Sequence, residues 1–310
     1  MKLSIQSGTG AYEIGFEKAY GLYAQAGFEA IDWNMDVAAV QAHMDKGQYD
    51  LADCVFTRSL EEIEAHFRPE WDTICKSGLT VGQVHSIMPT YAYANANPNS
   101  LDYTIPMHQN CIRYCQKKGI PYVVVHGVAT VAIPQEQVAV LNERLFRELI
   151  PVLLEGDTVV CMENLFMKNR EGENLPSHCS IAEEAVEFID RMNREAGKEV
   201  FGLCLDMGHL NLVSKDLPGY IRTLGSRIKA LHLHDNDGVN DEHQAPYTGT
   251  IPWKATMEAL CDVGYQGTLN FETFRQTSLK TIDPEVLPAW LQLISNCGTY
   301  FRTLVAPQNR

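Results

Sequence analysis

No stretch of this chain stays apolar long enough to cross a bilayer, no Pro/Gly/Ser-rich linker divides it, and no basic run marks it for a polyanion. The first absence argues against a membrane anchor, and Met1-Lys-Leu-Ser-Ile-Gln leads into a polar segment rather than the apolar stretch of a signal peptide. The second leaves 310 residues to fold as one large α/β barrel or two ordinary domains, and a single domain over 1–310 is the simpler expectation. The third joins a formal net charge of −14, which repels phosphate backbones at long range; Lys117-Lys118 is the one adjacent basic pair, and no nucleic-acid partner is expected. CxxC pairs are also missing. Nine cysteines, an odd number, suit a reducing cytoplasm. Cys161, Cys204 and Cys261 lie in apolar runs, and Cys111 and Cys115 at i and i+4 of a helix read as core.

What is present is alternation. Strand-like runs (Leu3 to Ser7, Ala30 to Trp33, Leu79 to His85, Tyr122 to His126, Val159 to Glu163, and the runs ending at Asp206, His232 and Glu272) exchange with helix-like runs. The helix-like runs include Gly15 to Ala26, Ile105 to Lys118, Gln135 to Leu154, Leu217 to Leu224 and Trp253 to Asp262. Eight strands with helical crossovers predict a parallel α/β fold closed as a (β/α)8 TIM barrel. A helical region broken near Pro69 is expected before Gly78, and an Asn- and Pro-rich loop over Pro89 to Ser100 at a strand end. Asn164 to Ser180 is a polar insert long enough to act as a lid or an oligomer contact, and Ser180 with Glu183 predicts a capping box.

Phase supports the barrel. If the terminal polar residue of each late strand points inward, so do Cys161, Cys204 and Asn270 two positions earlier, while Val160, Met162, Leu203, Leu205, Leu231, Leu233, Leu269 and Phe271 point out toward helices. His85 and His126 end their strands in the same phase, so six polar strand ends converge on one rim.

Glu163, Asp206 and Glu272 at one mouth would raise each other's pKa unless a cation lay among them. A divalent ion held by Glu163, Asp206, His232 and Glu272 resolves this; oxygen-rich donors with one imidazole favour Mn²⁺, Co²⁺ or Mg²⁺, with Zn²⁺ admissible. Such an ion acidifies the C–H beside a ketose carbonyl and stabilises the enediolate, and Glu163 and Glu272 could move the proton. His209, His85, His126, Asp241 and His243 are candidate substrate contacts, with a hydrogen-bonded core histidine the equal alternative for His85 and His126, and Trp33, Phe166 and Trp253 are candidate platforms for a sugar face, with packing the equal alternative for Trp33 and Trp253. His234 could orient a neighbouring ligand. His43, His66, His108 and His178 are given no role.

The segments Asp206-Met-Gly-His209, His232-Leu-His234-Asp235-Asn236-Asp237-Gly238, Asp241-Glu-His243 and Gly249-Thr-Ile-Pro-Trp resemble the xylose isomerase-like barrel superfamily, in particular its sugar phosphate isomerase/epimerase group with the ketose 3-epimerases. The resemblance spans nearly the whole chain and implies a metal on Glu163, Asp206, His232 and Glu272 with His209 at the substrate. Endonuclease IV-like zinc phosphodiesterases share the barrel; their multi-zinc pattern would use His85, His126, Glu163, Asp206, His209, His232, Asp241, His243 and Glu272. The expected activity is a metal-dependent isomerase or epimerase on a small carbohydrate. A keto-polyol dehydratase on the same scaffold and the zinc phosphodiesterase are the alternatives, and a homo-oligomer is admissible.

Overall fold

A computed structural model describes residues 1–35, 54–87 and 100–306. His43, the start of the helical region expected after Asn34, and the loop over 89–100 up to its last residue lie outside the described residues. Among the described residues no helix is long and apolar enough to cross a membrane.

The strands are β1 (Leu3–Gln6), β2 (Ala30–Asn34), β3 (Thr80–His85), β4 (Tyr122–Val125), β5 (Val159–Glu163), β6 (Phe166–Lys168), β7 (Asn174–Pro176), β8 (Phe201–Asp206), β9 (Ile228–His232) and β10 (Leu269–Phe271). Eight of them form one sheet in the order β10-β1-β2-β3-β4-β5-β8-β9. The β1–β10, β1–β2, β3–β4 and β4–β5 pairings are parallel. The ladder also returns from β9 to β10, because Leu233 N donates to Asn270 O (2.8 Å) and Glu272 N donates to Leu233 O (3.1 Å). With helices between successive strands, this is the (β/α)8 barrel class. β6 and β7 form a separate antiparallel hairpin, so the polar insert expected over 164–180 has its own structure.

The chain divides into two compact units. The first holds 1–33, 70–82 and 204–310, and the second 34–69 and 83–203. In the first, Phe271 lies one position before Glu272 and faces the other way. It meets Phe28 (6.3 Å between ring centroids) and Phe301 (6.2 Å), and Phe301 stacks on Trp253 (5.1 Å). Each aromatic withdrawn from water there contributes roughly 1.5–3 kcal/mol. The helix Phe16–Ala26 ends at Gly27, whose φ of 96° lets Gly27 N donate to Ala24 O and Phe28 N to Tyr23 O, closing the last turn.

In the second unit the helix Gln135–Leu153 buries Val138, Leu145, Leu149 and Val152, but Leu141 is only half-buried. Asn142 takes the buried place instead. Its amide brackets the backbone of Val128, accepting from Val128 N (2.6 Å) and donating to Val128 O (3.0 Å).

Two local expectations fail. The helix Leu60–Ser77 runs through Pro69 without a break, and Ser180 does not cap the next helix. That helix is Ala182–Ala196, with Ile181 at its N-cap and no side-chain cap, because the Ser180 hydroxyl donates to Leu165 O at the base of the hairpin.

Candidate functional site

In the first unit the strand ends bring Asp206, His232 and Glu272 together. His232 is fully buried. Its Nε2 lies 3.0 Å from Asp32 Oδ2, and its Nδ1 lies 3.3 Å from Glu272 Oε2 and 3.7 Å from Asp206 Oδ2. Gln6 Nε2 donates to the other Glu272 oxygen (2.6 Å). Asp206 caps the helix Met207–Val213, accepting from His209 N (2.6 Å), and both its oxygens lie 3.0 Å from His234 Nε2. Gly208 is required here, since a Cβ would overlap the His234 ring.

Beside this group stand His209, Asp241 and His243. His243 Nε2 lies 3.2 Å from Asp241 Oδ2 and its Nδ1 lies 3.2 Å from the Glu272 carbonyl, so both nitrogens face acceptors. Its ring stacks on His234 with centroids 3.9 Å apart. Burial pulls the imidazole down, yet the Asp241 charge and hydrogen bond, then Glu272 and Asp206, hold it at about 9. Burial likewise works against ionised Asp241, and His209 and His243 overcome it, leaving that carboxyl well below the usual range.

In the second unit His85, His126 and Glu163 converge. His126 Nε2 lies 2.9 Å from Glu163 Oε2, and His85 Nε2 lies 3.2 Å from His126 Nε2 and 3.5 Å from Glu163 Oε2. His85 Nδ1 donates to Ser86 O (2.8 Å), which turns its Nε2 lone pair toward the group. Behind it His108 Nδ1 meets the Ser86 hydroxyl (2.9 Å), and burial, then the neighbouring His126 and His85, depress His108 to about 3. His178 stacks on Phe146 (5.2 Å) and is likewise held at about 3 by burial.

Groups able to hold a divalent ion are therefore present: Asp206 with His234 and Glu272, His209 with His234, Asp241 and His243, and His85 with His126 and Glu163. The donor chemistry of the first unit fits a cation. A carboxylate at Nε2 leaves the Nδ1 side of His232 directed at two further carboxylates, an arrangement that a positive charge between them stabilises.

Trp33 is corrected by the structure. It alternates with Asp32 along β2, so its ring turns to the opposite face, is fully buried and packs on Trp71 (6.0 Å); it offers no surface to a sugar. Trp253 is buried as well, its indole donating to Asp235 Oδ2 (2.7 Å), whereas Phe166 is half-buried on the hairpin. Sequence reasoning missed Asp32 and Gln6 as parts of the cluster, and placed Asn270 on the inward face without giving it a role. The available signal was a polar residue inside an otherwise apolar strand, in phase with the polar strand ends.

The family described as xylose isomerase-like TIM barrel matches residues 22–293. An uncharacterized protein, y4fM, of Sinorhizobium fredii is 27% identical over 286 residues, covering 84% of this chain and 82% of that protein. A D-psicose 3-epimerase of Enterocloster bolteae is 33% identical over 131 residues, 42% of this chain and 38% of the epimerase. Among solved structures, D-psicose 3-epimerase with D-tagatose from Clostridium cellulolyticum H10 superposes with a TM-score of 0.69 at 18% identity, covering 97% of this chain and 99% of that one. The chain belongs to the xylose isomerase-like TIM barrel family.

Proposed function

We propose that this protein is a divalent-metal-dependent isomerase or epimerase that moves a proton on a small ketose or related carbohydrate through an enediolate. The observation that carries the reading is the convergence of Asp206, Glu272 and the Nδ1 of His232, each with a hydrogen-bonding residue behind it. Similarity to D-psicose 3-epimerases supports a ketose as substrate. Asp206, His232 and Glu272 would hold the ion, with Glu163 the fourth ligand that the family resemblance implies. Mn²⁺, Co²⁺ or Mg²⁺ suits this donor set, and Zn²⁺ is compatible with it.

Bound there, the ion would supply positive charge against the oxyanion of the enediolate and make the adjacent C–H more acidic. The protein's own groups do the rest. Glu272 exchanges a proton at one face of the carbon through one carboxylate oxygen while Gln6 fixes the other, and the opposite face is served by a second carboxylate. Glu163 is the second proton carrier. His243, held protonated between Asp241 and the Glu272 carbonyl, sets a positive charge beside the substrate, and His209, His85 and His126 are further polar contacts. Incubating the protein with Mn²⁺ or Co²⁺ and a panel of free and phosphorylated ketoses in D₂O tests the reading. Deuterium should enter the substrate, Glu272→Gln should abolish the exchange, and an unchanged rate in that variant would remove Glu272 from the chemistry. Glu163→Gln tests the second carrier separately, and loss of water from the substrate would instead identify a dehydratase.

The grouping of His85, His126 and Glu163 favours a second reading, a multi-zinc phosphodiesterase. Metal analysis separates the two: one ion per chain fits the isomerase, and two or three zinc ions fit the phosphodiesterase.

A further inference from the structure

We propose that Asp32 is a positioning residue for His232: its carboxylate keeps the ring proton on Nε2 and thereby aims the Nδ1 lone pair at Asp206 and Glu272. The inference rests on the metal-dependent reading above, but its first test needs no metal.

Both side chains are fully buried, in β2 and β9 of the first unit. A carboxylate placed in the apolar run Ala-Ile-Asp-Trp-Asn carries a desolvation cost of several kcal/mol, which hydrogen bonds must offset. Two of them share one oxygen: His232 Nε2 at 3.0 Å and the Asn270 amide at 3.1 Å. The ladder sets Asp32 there, since it pairs with Gln6 in β1 while Ser4 pairs with Asn270 in β10. The three polar side chains Gln6, Asp32 and Asn270 thus come from three neighbouring strands.

Asp32 Oδ2 already accepts from the Asn270 amide, so as an acceptor it leaves the hydrogen on the His232 nitrogen that faces it. A neutral imidazole then has its lone pair on the other nitrogen, the one 3.3 Å from Glu272 Oε2 and 3.7 Å from Asp206 Oδ2. A donor atom is in this way prepared before any ion arrives. A residue that merely filled space would not discriminate between the two ring nitrogens.

Nitrogen-15 NMR of histidine-labelled, metal-free protein reads the ring directly. The wild type should show His232 as the Nε2–H tautomer. Asp32→Asn should shift it toward Nδ1–H, because a side-chain amide can offer its NH₂ to Nε2. Mn²⁺ titration of the same samples should then give a Kd roughly 10- to 100-fold weaker in Asp32→Asn, the range seen when partners behind metal ligands are removed. Asp32→Glu, which keeps the acceptor, should recover the tautomer and part of the affinity. A wild-type His232 protonated on Nδ1, or an Asp32→Asn Kd within twofold of wild type, overturns the proposal. If Asp32→Asn does not fold, the wild-type spectrum still decides. If the tautomer behaves as expected and the wild type binds no Mn²⁺, positioning stands and the metal-dependent reading fails.

Discussion

The two donor clusters differ in charge and in what stands behind them. In the first unit Asp206, Asp241 and Glu272 are set among imidazoles, and their support comes from side chains: Asp32 behind His232, Gln6 behind Glu272, His234 against Asp206. In the second unit two imidazoles accompany one carboxylate, and His85 is held by a backbone carbonyl. The first unit sets three carboxylates, Asp206, Asp241 and Glu272, where the second sets one, and it gains most from a divalent ion. The lesson is that metal-donor residue types alone do not mark the tighter metal site; the excess of carboxylates and their buried support do.

The largest expected effect comes from removing that excess. Asp206→Asn should lose the ion and lower turnover by roughly 10³-fold or more, the scale of losing metal and proton-transfer catalysis together. His126→Gln, the matched change in the second unit, should lower turnover about tenfold, one hydrogen bond to substrate, with metal content unchanged. Metal analysis and kinetics on the two variants check this. Equal loss of metal from both would erase the distinction and favour the multi-zinc reading.

Protonation separates the units in sign. In the first, burial raises the Glu70 carboxyl from 4.5 to about 7, despite the Tyr20 hydroxyl bonded to it and the nearby Trp33 indole, which lower it. The folded state then holds more protons than the unfolded one, so the contribution is fully present below pH 4.5 and is lost as pH rises through 7, about 3 kcal/mol in all. In the second unit His108 falls from 6.5 to about 3, so its contribution is present above pH 6.5 and is lost as pH falls toward 3, again on the order of 3 kcal/mol or more. Urea midpoints between pH 4.5 and 7.5 should therefore flatten in opposite directions for Glu70→Gln and His108→Asn. Slopes of the same sign in the two variants would contradict these burial effects.

The ion itself ranks next. At a concentration a hundred times its Kd it should stabilise the fold by about 2.7 kcal/mol. Chelator treatment should therefore lower the melting temperature by roughly 5 °C, and Mn²⁺ should restore it. Asp206→Asn should be insensitive to chelator, whereas His126→Gln should respond like wild type.

Much of this architecture is legible because strand phase is a local property. Phe271 and Glu272 sit side by side in sequence and face opposite ways, so the helix-facing side and the polar rim separate by inspection. Asp206 and His232 end their strands and declare themselves. Asp32 and Gln6 do not, because their meaning depends on the ladder register that pairs them and on His232, two hundred residues away. Trp33 misleads for a related reason: a large aromatic at a strand end looks like a sugar platform until its phase relative to Asp32 is known. Pro69 reads as a break, yet the helix Leu60–Ser77 carries it internally.

The smallest contrast concerns helix caps, one in each unit. Asp206 caps its helix through His209 N, so the residue expected to hold metal also terminates a helix, and its replacement disturbs both. Ser180, which the sequence pairs with Glu183 as a capping box, spends its hydroxyl on Leu165 O instead. Ser180→Ala should therefore cost about 1 kcal/mol through a lost buried hydrogen bond. Glu183→Ala, with no cap to break, should change stability by less than about 0.5 kcal/mol, the weak attraction of a carboxylate to a helix N-terminus. Denaturant unfolding of the two single variants and the double variant decides the point. Additive losses fit two independent roles, whereas a coupling near 1 kcal/mol would mean that Ser180 and Glu183 act as one cap after all.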